Sequence, residues 1–121
     1  MVWDIVLLEP VVAWYEALLR NDTETAEQVA AAFDLLEELG PSLGRPLVDT
    51  LQGSRIPNLK ELRPGSRGRG EVRLLFVFDP HRRAIVLVAG DKSGRWKSWY
   101  LENIPLAEAR YEEWREGGFG T

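Results

Sequence analysis

Residues 71–78 read Glu71-Val72-Arg73-Leu74-Leu75-Phe76-Val77-Phe78, and Asp79-Pro80-His81-Arg82 separates them from the apolar run Ala84 to Ala89. The first stretch opens with polar alternation and ends as an unbroken apolar run. It predicts a strand whose start reaches an edge or a site and whose end is buried on both faces, with Arg73 at the boundary. Asp79-Pro80-His81-Arg82 is turn chemistry, so the two runs pair as an antiparallel hairpin. Asn58 to Arg63 predicts a further strand ahead of them, set off by Pro64-Gly65 with Gly68 and Gly70. The three make an antiparallel meander.

Upstream, Trp3 to Leu8 is a short apolar run ended by Pro10, and it reads as a first strand. Val11 to Arg20 carries Val11, Val12, Trp14, Tyr15, Leu18 and Leu19 at spacings of three and four, which is an amphipathic helix of about three turns. Asn21 and Glu24 form a capping-box pattern that starts a second helix, with Ala26, Val29, Ala30, Phe33 and Leu36 as its apolar stripe. Gly40-Pro41 stops it. Pro41 to Pro57, broken by Gly44, Pro46 and Gly53, reads as a connecting loop. Downstream of the meander, Trp96 to Arg115 predicts a short turn and a final helix divided at Pro105, with Gly117-Gly118 as the stop.

These elements fit one domain spanning 1–121, and a composition of 45% hydrophobic and 28% charged residues is that of a globular chain. The chain has no cysteine, which excludes a disulfide scaffold, a thiolate metal site and a cysteine nucleophile. With His81 as its one histidine, a zinc site or a Ser-His-Asp triad is a poor fit, and no metal or cofactor is expected. No run reaches the roughly 18 apolar residues of a membrane span, so a soluble, cytoplasmic protein with no membrane partner is expected.

The net charge of −4 hides a strong asymmetry. Between Arg55 and Lys97 eleven basic residues face four acidic ones, so that segment carries +7 and the rest of the chain −11. A basic segment in an otherwise acidic protein points to a polyanion site on one face.

The order of strand, two helices, loop, meander, basic loop and helix resembles the RelE/ParE toxin superfamily, and within it the phage-derived HigB-like branch. The residues that carry the likeness are Leu59-Lys60-Glu61-Leu62-Arg63, Glu71-Val72-Arg73-Leu74-Leu75-Phe76 and Ala89-Gly90-Asp91-Lys92-Ser93-Gly94-Arg95-Trp96-Lys97. The resemblance implies an α+β fold of the RelE type: an N-terminal strand and two helices packed on a mostly antiparallel four-stranded sheet, with a C-terminal helix. It implies a metal-independent endoribonuclease that cuts mRNA, in the ribosome, by 2′-hydroxyl attack on the phosphodiester. A HigA-like helix-turn-helix antitoxin would neutralise it. ParE-like inhibition of DNA gyrase, or a binding module without catalysis, are the alternatives.

The same resemblance gives catalytic work to Lys60, Arg63, Arg73, Lys92 and Tyr100, and RNA binding to Arg67, Arg69, Arg95, Trp96 and Lys97. Arginine and lysine suit the chemistry, because extra negative charge develops on the phosphoryl oxygens. Strand alternation points Glu61 away from Lys60, and a cationic groove formed by Lys60, Arg73 and Lys92 is expected. Trp99 reads as core, Trp96 as either core or a stacking partner for a base, and His81 as a turn residue.

Overall fold

The computed structural model of the chain describes residues 2–65 and 71–118. Two strands buried on both faces form its centre: β4 (Val72–Phe78) and β5 (Arg83–Asp91). They pair antiparallel around the Asp79 turn, where Asp79 accepts from the backbone of His81 and Arg83 and from the Arg83 guanidinium. Leu74, Leu75, Phe76 and Ala84 to Leu87 have no exposed surface. Each large side chain among them contributes about 1.5–3 kcal/mol by leaving water, which makes this hairpin the foundation of the fold.

The sheet is completed by β1 (Asp4–Leu7), β2 (Val48–Thr50) and β3 (Lys60–Leu62), in the order β1-β5-β4-β3-β2. β1 runs parallel to β5, and every other pairing is antiparallel. The α+β layout is the expected one, with five strands in place of four. The added strand is β2, inside the stretch read as a loop. Its outward N–H groups are satisfied internally, Val48 by the Gly44 carbonyl and Thr50 by the Asp49 side chain, which blunts an otherwise open edge.

Helices cover both faces. On one lie α1 (Glu9–Asn21) and α2 (Thr23–Leu39), packed through Val11, Trp14, Tyr15, Val29, Ala32, Phe33 and Leu36 onto Leu62, Leu74, Phe76, Ala84 and Val86. Val12 and Leu19 are exposed, so the apolar stripe of α1 is narrower than its sequence suggests. Asp22, rather than Asn21, caps α2: its carboxylate accepts from the Thr25 N–H and hydroxyl, which holds its pKa below the usual aspartate value. On the other face lies α3 (Trp96–Arg115), packed through Trp99, Tyr100, Ile104, Ala107 and Tyr111 onto Leu59, Leu75, Val77, Ile85, Leu87 and Val88. It runs unbroken through Pro105. That residue and Leu101, whose carbonyl loses its helical donor, are both exposed, so water can take the place of the missing N–H.

A register shift in β5 decides what faces α3. Leu75 pairs with Val88 and Phe76 with Val86, so Leu87 is an extra residue, and both Leu87 and Val88 pack toward α3. Beyond this bulge the alternation is inverted. Ala89 turns to the α1–α2 side, while Gly90, opposite Arg73, meets Trp99 on the α3 side.

Gly40 closes α2 at φ +53°, ψ −134°, and a Cβ there would overlap the Trp3 indole. Gly40→Ala is therefore expected to lower stability by about 3 kcal/mol in urea unfolding. An unchanged midpoint would contradict this packing.

Candidate functional site

β3 is three residues long, and its alternation sorts its charges onto opposite faces. Lys60 and Leu62 face the α1–α2 side, and Lys60 donates to the Thr50 hydroxyl at 2.7 Å. Glu61 faces α3 and has no exposed surface. A buried carboxylate is costly unless it is paired and hydrogen-bonded, and three elements supply the partners. Arg63 donates through Nε to Glu61 Oε1 at 2.9 Å, and its Nη2 stands 3.4 Å from Asp49 Oδ2 on β2. Tyr100, one turn into α3, donates its hydroxyl to Glu61 Oε2 at 2.5 Å.

The cluster continues toward β4 and β5. Lys92 Nζ lies 3.4 Å from the Tyr100 hydroxyl and 3.5 Å from the centre of the Trp96 ring. Arg73, 6% exposed, donates to the Val72 carbonyl, and its charge bears on Lys92, Tyr100 and Asp91. Ser93 hydrogen bonds hold the Asp91 carboxylate below the usual range and fold the loop between β5 and α3. The α3 backbone starts from that loop, with Arg95 N–H on the Lys92 carbonyl and Trp99 N–H on the Arg95 carbonyl.

Electrostatics separates the members. Burial pushes the Lys92 ammonium pKa down and Arg73 and Arg63 add to this, while Glu61 and Glu71 oppose it. Burial, and then donation to Glu61, pushes the Tyr100 phenol far above its ordinary value, so it stays protonated. The result is a compact set of cations around the fully buried Glu61, with Asp49 and Glu71 at its margin, at the end of the sheet beside a neutral hydroxyl and an indole that is 61% exposed. Such a set can hold an oxyanion and pass a proton. An apolar groove of about 490 Å³ runs from Tyr100 along α3 past Leu101 and Ile104, with Lys97 on its wall.

Arg63, Arg73, Lys92, Tyr100 and Trp96 are thus brought into one cluster. Lys60 is not: the expected convergence of Lys60, Arg73 and Lys92 is corrected by the strand's alternation, which turns Lys60 to the opposite face. Arg95 is exposed and pairs with Glu102 at 3.2 Å, and Lys97 is exposed. Arg67 and Arg69, with Gly68 and Gly70, lie outside the described residues. Trp99 is core, and His81 is an exposed turn residue. Glu61 itself was missed as a site residue. The same alternation that separates it from Lys60 puts it on one face with Arg63, and that was the available signal. Among the described residues, no group of three or more His, Asp or Glu could hold a metal ion, and no helix is long and apolar enough to cross a membrane.

The profile of the family described as phage derived protein Gp49-like (DUF891) matches residues 16–112. A Mycobacterium tuberculosis protein named "Putative toxin HigB2" is 57% identical over 106 residues, covering 88% of this chain and 51% of its own length. A second from the same organism, named "Putative toxin HigB3", is 48% identical over 110 residues, 91% of each chain. The chain spans about half the length of the first relative and most of the second. No solved structure matches.

Two measurements check this geometry. Tyr100→Phe strips a buried carboxylate of a donor, and a loss of about 2–3 kcal/mol is expected in urea unfolding; a neutral substitution would contradict the hydrogen bond. Because the Lys92 pKa is lowered on folding, the unfolded chain holds the extra proton in the window between that lowered value and 10.5, and stability contributed at this position rises with pH there. Wild type should gain on Lys92→Met as pH climbs from neutral toward 10.5, with the Tyr100 titration common to both. A falling difference would show that the ammonium is favoured by folding.

Proposed function

The chain belongs to the phage-derived Gp49-like family, and from that premise we propose that it is the toxin of a toxin–antitoxin pair and acts as an endoribonuclease on mRNA. The names of its two relatives support the first part. The second rests on one observation: Arg63, Arg73 and Lys92 gather with Tyr100 around the buried Glu61.

Attack of a ribose 2′-hydroxyl on the neighbouring phosphate places additional negative charge on the phosphoryl oxygens. Arg73 is suited to meet it, since a guanidinium can grip two oxygens at once and is already partly desolvated. Lys92 and Arg63 add positive potential from behind. A proton must leave the 2′-hydroxyl and another must reach the departing 5′-oxygen. Tyr100 can take the proton of the 2′-hydroxyl while passing its own to Glu61 across their hydrogen bond, and solvent water supplies the proton that the departing 5′-oxygen takes up. Arg63 is held between Glu61 and Asp49, so it positions the pair. The side-chain cations take the part a metal plays in other nucleases. Trp96 and the exposed Arg95 and Lys97 offer contacts to the RNA on either side, and the ribosome is the proposed setting of the cut. A HigA-like antitoxin with a helix-turn-helix is the proposed partner.

Induction of the chain in bacteria, followed by primer extension on total mRNA, tests this. Wild type is expected to cut transcripts and stop growth, and Arg73→Ala to lose at least about a hundredfold of the cutting while remaining folded. Lys60→Ala, on the other face, is expected to cut as wild type does. DNA damage without transcript cleavage would overturn the ribonuclease reading in favour of gyrase inhibition.

A further inference from the structure

A side chain of α3 that lies outside the cluster meets β5 at its bulge. The extra residue of a bulge stands outside the strand ladder, and a buried carbonyl there needs a donor from elsewhere. Arg110 is that donor: its Nη1 lies 2.8 Å from the Leu87 carbonyl. The placement is costly, because burial weighs on the guanidinium and pushes its pKa down, while Glu113, one turn on, opposes the shift. A charge taken partly out of water is thus committed to one backbone oxygen, and a charged donor makes that hydrogen bond a strong one.

The oxygen belongs to the residue on which the geometry of the site turns. With Leu87 as the extra residue, Val88 and Gly90 face α3, and Gly90 pairs with Arg73. Without the bulge, the same strand would pair Ala89 with Arg73, and every later side chain would change faces. Ala89 would then bring a Cβ to the place where Gly90 meets the Trp99 indole. Lys92, whose ammonium stands 3.5 Å from the centre of the Trp96 ring and 3.4 Å from the Tyr100 hydroxyl, would start from the α1–α2 side. Arg110 itself is ten residues beyond Tyr100, about 15 Å along the α3 axis, so it acts on the cluster from a distance.

We propose that Arg110 is a positioning residue: through the Leu87 carbonyl it holds the β5 bulge, and with it the face from which Lys92 enters the cationic cluster. The consequence for cutting rests on the ribonuclease reading above. The consequence for geometry does not.

Substitutions at Arg110, compared by NMR and by transcript cutting after induction, test the proposal. Two resonances report the bulge: the Gly90 α-proton aimed at the Trp99 indole and the Lys92 ε-methylene beside the Trp96 ring, both displaced by ring currents. Arg110→Met is expected to return both toward random-coil positions and to lower cutting by about tenfold to a hundredfold, the scale of a displaced catalytic group. Arg110→Lys, which keeps a charged donor, should retain most of both. Gly40→Ala, destabilised at the end of α2, should leave both resonances in place. A folded Arg110→Met with wild-type resonances would overturn the proposal, and so would Gly40→Ala moving them equally, since stability and not the bulge would then govern them. Should Arg110→Met not fold, Arg110→Gln decides: its polar end falls short of the Leu87 carbonyl, so it should move both resonances, and wild-type positions would overturn the proposal. Displaced resonances with undiminished cutting would overturn the link to the site. Absence of cutting by wild type would bring down the ribonuclease reading, while the resonances would still show whether Arg110 holds the bulge.

Discussion

A carboxylate with no exposed surface, Glu61, sits on the α3 face of a three-residue strand, and the end of the sheet is organised by the need to compensate it. Water would solvate such a charge better than an apolar interior, so the fold must supply donors at fixed positions. Arg63 comes from the same strand's exit and Tyr100 from the helix laid across it. The Tyr100 hydrogen bond ties α3 to β3 at that point, and Lys92 and Trp96 follow from where Tyr100 stands. A charge buried for structural reasons thus becomes the hub of a cationic cluster with one open aromatic face.

Two local features decide which side chains join the cluster. The alternation of β3 sends Lys60 to the α1–α2 side and Glu61 to the α3 side. The bulge at Leu87 inverts the alternation of β5, bringing Gly90 under Trp99 and the chain toward the α3 side just before Lys92. Gly90 has a packing reason of its own, since a Cβ there would stand 3.0 Å from the Trp99 indole nitrogen. Without the extra residue, the basic loop after β5 would start from the opposite face.

Much of the fold was legible. Glu71 to Phe78 and Ala84 to Ala89 are apolar enough to demand a doubly covered hairpin, and Gly40-Pro41 is a clear stop for α2. The misses have separate physical causes. β2 carries no pattern because three residues between prolines and glycines cannot display one, and its pairing is set by β3. Pro105 reads as a break because an internal proline removes a helical hydrogen bond and crowds the carbonyl four residues back, whereas here packing on either side carries the helix through and Leu101 and Pro105 face solvent. Within the site, the residue types are readable, but the bulge is invisible in the sequence, and the family resemblance joins Lys60 to Arg73 although the register of β3 and β4 puts them on opposite faces. Glu61 was passed over because an acidic residue among cations looks like a surface partner until its burial is known.

The most direct test of Glu61 as the hub is a double-mutant cycle with Tyr100, using Glu61→Gln and Tyr100→Phe singly and together, read by urea unfolding at neutral pH. A favourable coupling of about 1–3 kcal/mol between the two positions is expected from a buried, charge-assisted hydrogen bond. Additive losses, with coupling near zero, would contradict a carboxylate that organises the site.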